Sequence, residues 1–366
     1  MTWALSHYRK GDWVEVRSSD EILATLDARG RAADGMPFMP EMLQYCGKRF
    51  QVGAVAHKSC DMVGKIGTSR RLQTTVHLQG LRCDGSAHGG CQAECYLYWK
   101  DEWLKPSGQP QSARTLPAAA GKGLSEAELL AATRKPAPTA DEDRLYACQA
   151  TEVYEASRFL PWWDARQYLY DITTRNHSFG HTCAIIFLAI LRWAEPRVPF
   201  GYNFLRNLSE RAHHRLTGRG RPALAGQIPD GAPSPTGTLA LQEGEYVRIR
   251  PQAEIETTLN RHGRNRGLSF DGEEMAPYCG KVVRVRRRVT RIVEEATGRM
   301  IEMKQPCIML DGVICDALYA SCRLNCPRAI PSYWREIWLE RAPPGDVPDN
   351  RQAAATSLSG GPRPPA

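Results

Sequence analysis

Two short stretches, WVEVR at 13–17 and YVRIR at 246–250, alternate apolar and polar positions with the period of two expected of a half-buried strand. A short helix is predicted after each. Ser18 and Glu21 have capping-box spacing in the first, and Pro251 is placed to start the second. Gly30 and Gly263 are suited to closing those helices. Beyond a shared YCGK come strand-like runs, RFQVGAVAH from Arg49 and VVRVRRRVTRIVEE from Val282, each returning through a turn. ATGR at 296–299 is the clearer turn, and MIEMKQPCIML is its return strand. Between these regions the spacing becomes helical in DEDRLYACQATEVYEASRFL, WWDARQYLYDIT and HTCAIIFLAILRWA.

The correspondence is a repeat. Gly11–Lys48 and the stretch from Gly244 match in order, spacing and residue type at an offset of 233, with one compensated single-residue slip. It persists to the ends of both copies, where YWKDEWLKP from Tyr98 matches YWREIWLER from Tyr333. The predicted organisation is a first repeat at 11–106, a linker at 107–140, a helical domain at 141–217, a linker at 218–238, a second repeat at 239–342 and a disordered tail at 343–366.

Within each repeat, strand, excursion, hairpin and a tryptophan-rich close predict a small, partly open antiparallel barrel. GDWVEVR followed by YCGK and a valine-alternating strand resembles the SH3-like barrels of the KOW type and of the nitrile hydratase beta subunit. The whole layout is similar to that of bacterial proteins with a duplicated barrel, a resemblance that implies no activity. The tight Cys-x-x-Cys-x-Cys metal claw of the nitrile hydratase partner subunit is absent, so that reaction is not implied. The expected fold class is α+β: two tandem SH3-like barrels with cysteine-rich metal loops, flanking a helical domain.

Composition adds a compartment and a chemistry. The chain has 366 residues, 12 cysteines and a formal charge of +8, enough length for two or three cores and a mild bias toward anionic partners. The N-terminal stretch MTWALSHYRKGDWVEV carries no secretory pattern, and the longest apolar run, CAIIFLAIL at 183–191, is too short to span a bilayer. The expected location is the cytoplasm, without a membrane partner. There, clustered cysteines bind metal more often than they form disulfides.

Four cysteines recur in each repeat: Cys46 with Cys279, Cys83 with Cys315, Cys91 with Cys322, and Cys95 with Cys326. Four thiolates fill a tetrahedral zinc site, so two zinc ions are expected, with an iron-sulfur cluster as the alternative. Cys60 and Cys307 are extra candidates, one per repeat. His57, His77 and His88 have no counterpart in the second repeat. His88 precedes Cys91 by three residues in HGGC and is read as a solvated loop residue, a ligand, or the base beside a nucleophilic Cys91.

Other features carry blander readings. Cys148 and Glu152 read as packed side chains, and His177, His181 and Cys183 as a helix start, with a metal shared by the two histidines at i and i+4 as the alternative. The tryptophan pairs, Trp99 with Trp103 and Trp334 with Trp338, read as packing, with the stacking of bases as the alternative. Arg284, Arg286 and Arg288 share one strand face that suits phosphate contacts, with a solvated face as the alternative. No P-loop, Rossmann loop, Gly-x-Ser-x-Gly or His-Glu-x-x-His motif is present. The functional expectation is a zinc-stabilised, pseudo-symmetric binding or scaffold protein for a protein or nucleic-acid partner. Its rival is an accessory or catalytic protein of bacterial metabolism with a Cys/His site in the first repeat.

Overall fold

The computed structural model describes residues 3–64, 68–107, 124–136, 145–198, 201–217, 220, 224–317 and 324–347. The described chain is α+β, with antiparallel sheets and mostly short helices. It forms two compact units. The first comprises Met1–Cys183, Arg291–Glu302 and Cys322–Ala329; the second comprises Ala184–Thr290, Met303–Ser321 and Ile330–Ala366.

The strands of the first repeat region and its neighbours are β1 (Trp13–Val16), β2 (Arg49–Val55), β3 (Lys58–Cys60), β4 (Ser69–Arg71), β5 (Thr75–Arg82), β6 (Tyr96–Lys100), β7 (Leu104–Pro106) and β8 (Arg158–Leu160). Five of them form a sheet in the order β6-β5-β2-β1-β7, and β3-β4-β8 form a smaller one. Strand β1 shows why the alternation was legible: Val14 and Val16 are fully buried, whereas Trp13 is exposed. The register pairs Trp13 with Gln51 and Val16 with Leu104. Helix α1 (Ser19–Leu23) begins at the expected capping box, with Ser18 and Glu21 bonded reciprocally. Gly30 follows it in the left-handed region at φ +69°, which glycine adopts without a Cβ penalty.

The remaining helices of this unit are α2 (Glu126–Ala131), α3 (Gln149–Glu152) and α4 (Arg166–Thr173). Helix α5 (Phe179–Ala194) is divided between the units at Cys183, and α6 (Tyr202–Thr217) and α7 (Gln252–Glu256) belong to the second. The helical stretch is therefore shared out between the two units.

The later strands are β9 (Tyr246–Ile249), β10 (Arg264–Asn265), β11 (Leu268–Ser269), β12 (Val282–Val293), β13 (Met300–Ile314), β14 (Pro331–Trp334) and β15 (Leu339–Arg341). Five form a sheet in the order β14-β13-β12-β9-β15. This is the strand order of the first sheet, element for element. The expected tryptophan packing also appears in both. Trp99, Trp103, Trp334 and Trp338 are all buried, and Phe38 meets Trp103 edge-on at 5.1 Å as Phe270 meets Trp338 at 5.5 Å. These rings are core, leaving no face on which a base could stack.

Of the sequence expectations, Cys322, most of the 107–140 linker and the tail from 348 lie outside the described residues.

Candidate metal centre

Strand β5 runs directly into the loop that carries Cys83 and His88. The loop closes on itself: the Cys83 N–H donates to the Cys95 carbonyl at 2.8 Å, and the Gly90 N–H donates to the Gly85 carbonyl at 2.9 Å. Gly85 sits at φ +74°, and a Cβ there would stand 1.9 Å from the Cys91 carbonyl oxygen. Only glycine allows that approach.

The turn directs His88 inward to 1 % exposure, beside Glu41 on the 3-10 turn Pro40–Tyr45. Three different donors meet there. The Cys83 thiol lies 3.3 Å from Glu41 Oε1 and 3.4 Å from His88 Nε2, and His88 Nδ1 is 3.6 Å from Glu41 Oε1. One ligand atom from each of Glu41, Cys83 and His88 falls within 4.8 Å of the others, so the group can hold a metal ion. The two separations from Cys83, 3.3 and 3.4 Å, match the edge of a tetrahedron whose metal bonds are about 2.0–2.3 Å. The 3.6 Å separation involves the other imidazole nitrogen, and only one nitrogen of His88 would ligate.

The electrostatics describe three groups withdrawn from water. Burial raises the Glu41 carboxyl to about 7, lowers the His88 imidazole to about 4, and pushes the Cys83 thiol well above its usual range. Glu41 Oε2 and His88 Nδ1 are buried without a hydrogen-bond partner. Buried polar atoms are ordinarily satisfied, so these two are an exception of the kind a cation would explain.

The corresponding pair exists in the second unit. Cys315 donates to Glu274 Oε1 at 3.1 Å, and these residues stand 232 and 233 positions beyond Cys83 and Glu41.

The other candidate cysteines occupy different surroundings. Cys46 and Cys279 close the matching 3-10 turns, with φ −55° in both; burial raises both thiols, Cys279 to about 11. Cys91 accepts the Val293 N–H at 3.3 Å and packs with Tyr146 and Met300. Cys95 is pushed up to about 11 by burial, opposed by Arg328. Cys60 donates its N–H to the Cys326 sulfur at 3.2 Å. Cys307 lies beside Arg335 Nη1 at 3.5 Å. The His88 imidazole thus meets Cys83.

Sequence reasoning missed a second buried polar group. His57, Lys58, Ser59, Cys60 and Asp61 are all buried, although the run is strongly polar. Lys58 Nζ donates to Asp171 Oδ2 at 2.6 Å, and His57 Nε2 lies 3.2 Å from Asp171 Oδ1. Asn325 Nδ2 adds a bond to Asp171 at 3.2 Å, and its Oδ1 meets His181 Nε2 at 3.1 Å. Burial alone raises the Asp171 carboxyl, but Lys58 and His57 overrule it and hold it down at about 2. No local signal announces this group, because Lys58 and Asp171 are 113 positions apart.

The remaining candidates resolve simply. Cys148 is a packed thiol, pushed up to about 12 by burial. Glu152 pairs with Arg31 at 2.9 Å and Lys135 at 2.8 Å. The His177 and His181 rings stack at 4.6 Å. Arg284 and Arg286 face Asp311 at 3.8 and 3.6 Å, and Arg288 pairs with Glu336, so carboxylates already stand against that strand face. Among the described residues no disulfide is formed, and no helix is long and apolar enough to cross a membrane. No protein-family model matches the chain, and no curated protein matches it significantly.

Proposed function

We propose that the chain is a zinc-stabilised binding or scaffold protein of a reducing compartment, in which two duplicated SH3-like barrels present a pseudo-symmetric surface to a protein or nucleic-acid partner. The convergence of Glu41, Cys83 and His88 carries this reading. Its donors are one thiolate, one imidazole and one carboxylate, a mixture suited to zinc, whereas an iron-sulfur cluster takes mainly thiolates. Glu41 and His88 are buried, so the ion would join a 3-10 turn to the β5 loop as a staple, with little room for a substrate. The common strand order of the two five-stranded sheets supports the duplication.

Elemental analysis of the purified full-length chain tests the centre. Zinc is expected to be bound, and Glu41→Gln and His88→Ala are each expected to weaken its retention against a chelator by about tenfold or more. Metal content unchanged in both variants would remove the centre. Partner class is read separately on an immobilised polyanion, where salt-insensitive behaviour would exclude nucleic acid.

A further inference from the structure

Helices α5 and α6 bring together two kinds of exposed side chain. On the part of α5 within the second unit, Phe187, Ile190 and Trp193 are each nearly half exposed. On α6, Phe204 is 71 % exposed and Leu208 accompanies it one turn on. Arg192 Nη2 of α5 reaches His213 Nδ1 of α6 at 3.5 Å, and both side chains are buried. With about 100° per residue, Ile190 and Phe204 stand roughly opposite Arg192 and His213 on their own helices. Apolar side chains therefore face outward on both helices.

The charge on the same segment has one sign. Among the described residues from 184 to 217, the exposed charged side chains are Arg197, Arg206, Arg211 and Arg215. Glu195 is buried, and Glu210 is half-buried and paired with Arg206 at 3.0 Å. Arg197 stacks on Trp193, 4.3 Å from the ring, a pairing of cation and amphipathic ring suited to a water–apolar boundary.

We propose that this helix pair attaches the protein to an anionic membrane surface. The occupant has to be negative, to meet Arg197, Arg211 and Arg215, and apolar, to cover Ile190, Phe204 and Leu208. A second copy of the chain would bring arginine against arginine. Nucleic acid would meet the arginines and stack on the aromatic rings but would leave Ile190 and Leu208 in water. A fluid lipid interface supplies anionic headgroups and an apolar layer together, and it conforms to side chains that face different ways. Surface attachment requires no membrane-crossing helix, so this departs from the sequence expectation of no membrane partner without needing a longer apolar run.

The test is co-sedimentation of the full-length chain with phosphatidylcholine vesicles containing about one-third phosphatidylserine, against vesicles of phosphatidylcholine alone. Binding is expected on the anionic vesicles and is expected to weaken with salt. The double variant Ile190→Ser/Phe204→Ser should lower partitioning about tenfold or more, and Arg211→Gln and Arg215→Gln about fivefold each on anionic vesicles only. All four positions are exposed, and unchanged circular dichroism verifies that the variants fold. Absence of binding to anionic vesicles overturns the proposal, as does full binding by the Ile190→Ser/Phe204→Ser variant. A dimer or a nucleic-acid complex that these substitutions abolish, without vesicle binding, would assign the patch to that occupant instead.

Discussion

The main-chain N–H of Cys60 donates to the sulfur of Cys326 at 3.2 Å, across 266 positions of sequence. Cys326 lies in the stretch that the sequence pattern assigns to a second repeat, yet Cys322–Ala329 is part of the first compact unit. Two of its buried side chains, Asn325 and Arg328, are polar. Asn325 bonds Asp171, and Arg328 pairs with Glu295 while lying 3.9 Å from the Cys60 sulfur.

Arg328 is expected to be a strong stability determinant. It is 2 % exposed, so Arg328→Met removes a desolvated guanidinium and leaves the Glu295 carboxylate without its partner. The expected loss is about 3 kcal/mol, read as a lower urea midpoint. The double variant Arg328→Met/Glu295→Gln should recover part of it, because the stranded charge is then gone. Equal midpoints for the chain and the single variant would refute this.

The Asp171 centre sets an acid limit. Its carboxyl is held at about 2 against an ordinary 3.8, so it contributes stability that is complete above about pH 4 and is lost as pH falls toward 2. A shift of that size corresponds to about 2 kcal/mol. Asp171→Asn should lower stability near neutral pH, since it leaves the Lys58 ammonium buried without a counter-charge, and should flatten the acid limb. Denaturant midpoints between pH 2 and pH 7 provide the comparison.

The two tryptophan cores should respond alike. Trp99→Ala and Trp338→Ala each remove a fully buried indole packed near a phenylalanine, and each should cost about 3–5 kcal/mol. Thermal scans with both variants examine this. A cost below about 1 kcal/mol at either site would mean that its core is looser than the packing shows.

Thiol labelling should be graded by position. Cys183 is exposed, whereas Cys148 is buried and its thiol is pushed up to about 12. Under native conditions a maleimide should modify Cys183 well before Cys148, with mass spectrometry of the digest locating each adduct. Comparable rates at the two sites would show that the helix α3 region opens readily.

Where a pattern depends on neighbours in sequence, it could be read directly. The alternation of WVEVR, the Ser18–Glu21 box and the left-handed glycines after α1 and α7 were all legible, because burial face, cap and turn are settled within a few residues. Glu41 was not. It sits in the mostly apolar run PFMPEMLQY, 42 positions before Cys83, and carries no metal-ligand spacing of its own. The polar strand Lys58–Cys60 was opaque for the same reason, since its burial rests on Asp171, Tyr98 and the loop around Asn325.

By itself the sequence determined the alternating strands, the capped helices and the supply of thiols, since each is a matter of local periodicity and composition. Tertiary structure alone decided which side chains meet: Glu41 and His88 with Cys83, Lys58 with Asp171, Cys60 with Cys326. The physical reason is that a hydrogen bond or an ion pair depends on distances of a few ångströms, and those distances follow from the backbone path between residues that sequence separates by tens to hundreds of positions.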